Sequence, residues 1–408
     1  MISFSVLEIE RLKEKFGEPF YVFDEKAFIE NYTDFKNAMQ SLYPNYRVSY
    51  SYKTNYTPYI CSLVKKLGGY AEVVSDMEYH VAKKVGYTDN KIIYNGPDKG
   101  ESGIYAVTKG CIVNVDGIDE LKAIIKFADK NPKTQIKVGL RVNLDVGQDF
   151  ISRFGMDEKD IDKAFDMAGR TQNVKIVGLH CHISRCRGVD AWRKRTETML
   201  ALADKYFSEE LPEYIDLGSG MFGKMDDDFK KQFDYVPSYS EYATVTAGIF
   251  AEHYKNIEQE KKPILFTEPG TTLINKYIDF VCKVDGIKSV RGKTFAILNC
   301  SEHNLGETCA LKRLPINILP TNAEREKYEN ADFVGYTCLE QDVMYKDYTG
   351  EIAVNDYVQF GNVGGYSNVY KPPFIRPNCA MLVKKCDGSY SVIKRKETYT
   401  DLLHTYAF

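Results

Sequence analysis

Between about residues 46 and 267, short β-rich runs alternate with longer amphipathic stretches. This order constrains the fold more than any other feature of the chain, because it means βα units around a parallel sheet. The strand candidates are residues 46–52, 71–74, 91–94, 112–115, 135–142, 174–183, 214–217 and 264–267. Between them lie helix candidates, among them 58–66, which ends at Gly68-Gly69, and one opened by Ser75 with Glu78 three residues on, a capping-box spacing. Eight consecutive units favour a (β/α)8 barrel over an open doubly wound sheet.

After Thr267 the texture changes. Residues 277–284, 294–298, 332–337, 357–360, 379–385 and 390–394 read as short alternating strands broken by Gly, Pro and Asp-Gly turns. The expected fold class is therefore α/β: a TIM-like barrel over 26–275 and a C-terminal all-β domain over 276–408. The early strand Tyr21-Val22-Phe23, within residues 1–25, lies outside the eight-unit series and is expected to join the β-domain. Two domains also suit 408 residues, which exceed the length at which single cores stop growing.

Composition excludes several classes. The 54 Lys and Arg against 57 Asp and Glu give a net charge of −3, which does not suit a nucleic-acid partner. The opening Met1-Ile2-Ser3-Phe4-Ser5-Val6 runs at once into charged helix-like sequence, so no secretion signal is expected. No apolar run reaches the roughly 18–20 residues needed to span a bilayer, so a cytoplasmic protein without membrane contact is expected. The ten cysteines, scattered from Cys61 to Cys386 without a CxxC pair, read as reduced thiols.

Four places in the barrel region could carry chemistry. Lys53 closes the first strand, and active sites of barrels assemble at the C-terminal strand ends. An amine held there can form a Schiff base with an aldehyde such as that of pyridoxal phosphate, although a Lys opening a loop is also commonly just solvated. Glu268, in Glu268-Pro269-Gly270, ends the eighth strand, and barrel closure makes strand eight the neighbour of strand one. Lys53 and Glu268 are thus expected to converge, and a carboxylate beside a pyridine nitrogen keeps it protonated; a surface Glu before a turn is the plainer reading. Asp216-Leu217-Gly218-Ser219-Gly220 follows strand seven, where barrel enzymes bind phosphate through backbone N–H groups, and a merely flexible loop is the alternative. His180-Cys181-His182, with Cys186 nearby, ends strand six. Alternation sets Cys181 on the opposite face and no further compact His/Cys group completes a tetrahedral set, so no metal is expected. His182 is the candidate for stacking on a flat cofactor, and His180 is expected to be a core histidine.

Together these residues resemble the pyridoxal-phosphate-dependent decarboxylases of the alanine-racemase-like fold, the group of diaminopimelate, ornithine and arginine decarboxylases. The resemblance runs through residues 20–24, 52–55, 72–78, 95–99, 140–143, 152–155, 178–184, 216–223, 268–270, 338–342 and 364–366 in shared order. It implies that Lys53 carries the cofactor, His182 stacks on its ring and Glu268 binds its nitrogen. It further implies that Gly218, Ser219, Gly220 and Gly270 hold the phosphate, with Ser184 at a shifted contact because the family's His-Ile-Gly-Ser turn reads His182-Ile183-Ser184-Arg185 here. Glu72, Glu78 and Arg141 match positions that support the cofactor, though structural ion pairs would account for them equally well. Cys338 matches a catalytic Cys supplied by the partner subunit, and Tyr366 an aromatic near the cofactor from the same domain, which implies a homodimer with shared sites.

Three departures bear on the substrate. Thr271 replaces the usual Arg after Glu-Pro-Gly, and the Arg-Pro…Leu-Tyr substrate segment is absent from residues 299–315. Leu339 replaces the acidic residue that reads a distal substrate amine. The sequence is in these respects similar to the butirosin- and siderophore-pathway branch, whose substrates include conjugated and carrier-bound amino acids, with an acyl-carrier protein as a possible partner. The expected activity is decarboxylation of an L-amino acid or such a conjugate to the amine and CO2. The alternatives are a diaminopimelate decarboxylase of lysine biosynthesis, an amino-acid racemase, which Glu268 opposes, and a non-catalytic pyridoxal-phosphate carrier, which the second domain opposes.

Overall fold

Strands covered on both faces need no polar alternation, so parallel barrel strands read as short apolar runs. In the computed structural model, which describes residues 1–408, those runs form the barrel. After β1 (Phe20–Asp24) come β2 (Tyr46–Ser51), β3 (Tyr70–Val73), β4 (Ile92–Tyr94), β5 (Ile112–Val115), β6 (Ile136–Arg141), β7 (Val174–His180), β8 (Tyr214–Asp216) and β9 (Ile264–Thr267). Strands β2 to β9 close in sequence order into an all-parallel barrel, with Val48 of β2 opposite Thr267 of β9. The eight-unit expectation holds, with the ends of six strands moved by one to three residues. The largest change is in β7, which stops at His180 and leaves His182 on the following loop.

Helices between the strands end where their sequences say they should. Pro58–Lys66 starts on Pro at its first turn. Asp76–Val85 is capped by Ser75, whose Oγ accepts the Glu78 amide at 3.2 Å, and stops at the left-handed Gly86. Only half of a capping box forms, because the Glu78 carboxylate reaches past Ser75 to accept the Val74 amide at 2.8 Å.

The chain divides into two compact units: Tyr32–Phe222 with Tyr235–Thr272, which holds the barrel, and Met1–Asn31 with Gly223–Asp234 and Leu273–Phe408. The second contains β1 and β10 (Ile278–Val290), β11 (Lys293–Leu298), β12 (Ile316–Leu319), β13 (Glu326–Val334), β14 (Val343–Ile352), β15 (Tyr357–Phe360), β16 (Ala380–Lys384) and β17 (Tyr390–Lys394). Its mixed sheet runs β14-β13-β11-β10-β1-β16-β17, with β15 joining β10 to β12. Strand β1 pairs antiparallel with β10 and parallel with β16. Phe20, Val22, Val281, Leu319 and Leu382 form its core with Ile9 and Leu12 of the helix Val6–Phe16. Strands β12 and β14 were not expected from the sequence, and the strand expected at 332–337 is the end of the longer β13. No helix is long and apolar enough to cross a membrane.

Candidate active site

The C-terminal ends of the barrel strands deliver a set of buried polar groups joined by hydrogen bonds. Parallel register sets Ser51, the last residue of β2, beside Glu72 of β3, and Lys53 follows two residues beyond. The Lys53 Nζ lies 2.8 and 3.0 Å from the two Glu72 carboxylate oxygens, and the Ser51 hydroxyl donates to Oε2 at 2.6 Å. Glu72 is fully buried, so without this ammonium and these donors its charge would be strongly penalised.

Asn95, just past β4, connects Glu72 to Glu268. Its Nδ2 donates to Glu72 Oε1 at 3.1 Å and to Glu268 Oε1. Its Oδ1 accepts from Asn114 Nδ2 at 2.8 Å, and Asn114 Oδ1 in turn accepts from the Tyr214 hydroxyl at 2.6 Å. The barrel interior thus holds a continuous polar chain from Tyr214 to Lys53, and the convergence of Lys53 with Glu268 runs through Glu72 and Asn95.

Two imidazoles face the Glu268 carboxylate: His182 Nδ1 at 3.1 Å from Oε2 and His180 Nε2 at 3.2 Å from Oε1. His180 is buried, as expected of a core histidine, and its ring lies against the Glu268 carboxylate. Asp216, at the end of β8, also faces the cluster, and ligating-type atoms of His180, Asp216 and Glu268 lie within 4.8 Å of one another. Two buried carboxylates this close cannot both ionise cheaply. Burial and the Glu268 charge push the Asp216 carboxyl well above its ordinary range. Burial alone would raise Glu268 too, but the imidazoles and the Lys53 ammonium outweigh it and hold Glu268 well below the carboxylate range. The two carboxyls are thus pushed in opposite directions, Asp216 up and Glu268 down. Burial also lowers both histidines, His182 to about 4, and of the two rings only His182 is hydrogen-bonded to Glu268.

The loop after β8 lies against the loop after β7. Gly218 (φ +63°) and Gly220 (φ +107°) adopt left-handed conformations, and a Cβ on either would overlap the carbonyl of Cys181 or Ile183. A Cβ on Gly270 would overlap the Thr54 side chain. Backbone here replaces side chains, the arrangement that lets N–H groups approach an anion closely. An amine, a buried carboxylate, a neutral imidazole and a glycine-lined backbone cradle at one barrel end fit an aldehyde-bearing, phosphorylated pyridine.

The remaining expected residues fall as follows. Arg141 is buried, with NH1 3.1 Å from Asp116 Oδ1 and its guanidinium over the Phe154 ring at 4.7 Å. The Glu78 carboxyl is pushed up to about 7 by burial and by the Glu72 charge. Ser219 is buried and Ser184 exposed. In the other unit, Cys338 is exposed and Tyr366 has a left-handed backbone, φ +52°. Asn95, Asn114, His180 and Asp216 were not identified as site residues from the sequence. Their position at or near barrel strand ends was the available signal.

Comparison with known proteins places this geometry in context. Residues 27–275 match the family described as pyridoxal-dependent decarboxylase, pyridoxal binding domain. The diaminopimelate decarboxylase of Aquifex aeolicus (strain VF5) is 26% identical, across 96% of this chain and 92% of that protein. The L-glutamyl-[BtrI acyl-carrier protein] decarboxylase of Niallia circulans is also 26% identical, across 98% of this chain and 96% of that one. Among solved structures, diaminopimelate decarboxylase from M. jannaschii in co-complex with L-lysine superimposes with a TM-score of 0.85 at 26% identity, covering 98% of this chain and 94% of that one.

Proposed function

We propose, from the premise that this chain belongs to the pyridoxal-dependent decarboxylase family, that its barrel removes the α-carboxylate of an amino acid whose far end is conjugated rather than free. Amino-acid decarboxylation with pyridoxal phosphate follows from family membership; the residue roles and the substrate are our reading. The observation that carries it is the Lys53–Glu72–Asn95–Glu268 chain beside the glycine loop. In this reading Lys53 would hold the cofactor at its aldehyde, Glu268 would face its ring nitrogen, and His182 would pack on the ring. The cradle of Gly218, Ser219, Gly220, Gly270 and Ser184 would hold the phosphate, with the Gly218 amide itself kept by Asp216, while Glu72 and Arg141 fix the surroundings. Held by these residues, pyridoxal phosphate would supply an electron sink for loss of the α-carboxylate. Asn95 keeps Glu268 oriented. Cys338 of a second subunit then protonates Cα after CO2 leaves; its exposure suits that role.

Complementation tests the shared site. Lys53→Ala and Cys338→Ala protomers, each inactive as a homodimer, are expected to regain activity when mixed, because a hybrid dimer holds one site with both residues intact. Absence of rescue after verified subunit exchange would refute a site built from two chains.

The substrate reading rests on Leu339, Thr271 and the role of Asp342. Asp342 is close in sequence to Leu339 and could have supplied the missing charge. Its Oδ1 instead accepts the Glu302 amide at 2.7 Å, and its Oδ2 accepts the Thr337 amide and hydroxyl at 3.1 and 2.6 Å. The carboxylate is committed to its own loop. A distal ammonium or carboxylate left without a partner forfeits a charge-assisted hydrogen bond of about 1.5–3 kcal/mol, or roughly ten- to a hundredfold in kcat/KM. Free lysine, ornithine and meso-diaminopimelate are thus expected to be poor substrates beside an amide, ester or thioester conjugate. Measured CO2 release with kcat/KM above about 10⁴ M⁻¹s⁻¹ on any of the three would overturn this assignment.

A further inference from the structure

We infer that Arg195 is the positioning residue of the phosphate cradle, fixing from behind the two loops whose amides hold the cofactor's phosphate; this rests on the cofactor reading above. Arg195 lies on the helix Val189–Tyr206 and is completely buried. Its hydrogen bonds all go to main-chain carbonyls: NH1 to Leu217 at 3.0 Å and Ser219 at 2.7 Å, and NH2 to Ile183 at 3.0 Å. Its guanidinium carbon sits 3.9 Å from the Trp192 ring centroid, which locks the planar group in place.

Three features give this geometry a purpose beyond packing. First, the carbonyls belong to the two abutting loops, 181–184 and 217–220, so one side chain ties them into a single rigid surface. Second, these peptides are trans, and in a trans peptide the N–H points opposite to the C=O. Pulling the Ser219 and Ile183 carbonyls toward Arg195 turns the Gly220 and Ser184 amides away from it, toward the face where an anion would bind. The Leu217 peptide is held on both sides, since the Gly218 amide donates to Asp216 Oδ1 at 2.8 Å. Third, no carboxylate pairs with the guanidinium. A buried charge solvated only by carbonyl dipoles is costly, and a phosphate across the loop offsets it. Burial lowers Arg195 only to about 10, so it remains a cation at neutral pH.

The test compares pyridoxal phosphate with pyridoxal, which differ only in the anion. Full-length wild-type, Arg195→Met and Arg195→Lys proteins, freed of cofactor, are titrated with each by absorbance, with circular dichroism and thermal melting as fold controls. Arg195→Met is expected to bind pyridoxal phosphate about ten- to a hundredfold more weakly, with pyridoxal binding changed by less than about threefold. Arg195→Lys keeps the charge but loses the fork, so an intermediate loss confined to pyridoxal phosphate is expected, and it carries the test if the Met variant does not fold. Equal losses for both ligands, or no loss in a folded variant, would reduce Arg195 to a packing residue and overturn the inference. A wild-type protein without preference for the phosphorylated form would instead remove the cradle itself, and this inference with it.

Discussion

Lys53→Ala is expected to lower kcat/KM for CO2 release by about 10³-fold or more and to remove the visible absorbance that depends on covalent attachment at the Lys53 Nζ. No shortened side chain at residue 53 can reach the cofactor aldehyde, so both losses have one origin. A second effect follows from the ion pair. Glu72 is fully buried, and removing its ammonium leaves only Ser51 and Asn95 to satisfy it. Some loss of thermal stability is expected alongside the loss of turnover. Lys53→Arg separates the two, since a guanidinium can still pair with Glu72 but cannot attach to an aldehyde; this variant is expected to keep more stability and no chromophore. Steady-state assays, spectra and melting curves on the three proteins decide the matter, and normal turnover by Lys53→Ala with added pyridoxal phosphate would mean that the nucleophile is a different residue.

Glu268→Gln is expected to cost about 10²–10³ in kcat, the range for removing one preorganised electrostatic group. The substitution is nearly isosteric and can retain the hydrogen bond to His182, so its effect isolates charge. Burial would raise the wild-type Glu268 carboxyl, but His180, His182 and Lys53 hold it below the ordinary carboxylate range. A neutral amide cannot hold a proton on a pyridine nitrogen, and the ring then draws electrons less strongly. Because Glu268 is depressed in the folded state, the stability it contributes is present above the ordinary carboxylate range and is lost as pH falls through its folded value. The variant is therefore expected to lose less stability on acidification than the wild type. Unchanged kcat in a variant that still binds cofactor would place the ring nitrogen elsewhere.

Much of this architecture was legible in the sequence because barrel strands are buried on both faces. Residues 112–115 and 264–267 are apolar runs with turn residues nearby, and they form β5 and β9 as expected. The exposed ribbon of β13 and β14 was not legible for the opposite reason. Glu326–Val334 and Val343–Ile352 carry polar residues on both faces, so no alternation marks them, and their pairing is decided by neighbouring strands. The candidate site divides along a similar line. Lys53 and Glu268 stand out because each ends a strand in a motif. Asn95 does not, because its significance lies in meeting residues such as Glu268, 173 positions away, across a closed barrel.

The placement of β1 has a consequence for how the chain comes to be folded. Phe20 pairs with Val281 and with Ala380, so the strand cannot be completed on both edges until nearly the whole polypeptide exists. The strands of the barrel lie entirely between these pairing partners in sequence and can zip up during synthesis. At about 5–20 residues per second, Phe20–Asp24 emerges from the ribosome roughly 20–70 s before its second neighbour does. For that interval a segment whose Phe20, Tyr21, Val22 and Phe23 are all buried in the finished protein has at least one edge uncovered. Its exposure to chaperones and to other nascent chains is set by the order of synthesis, and a truncation before Ala380 would make that exposure permanent.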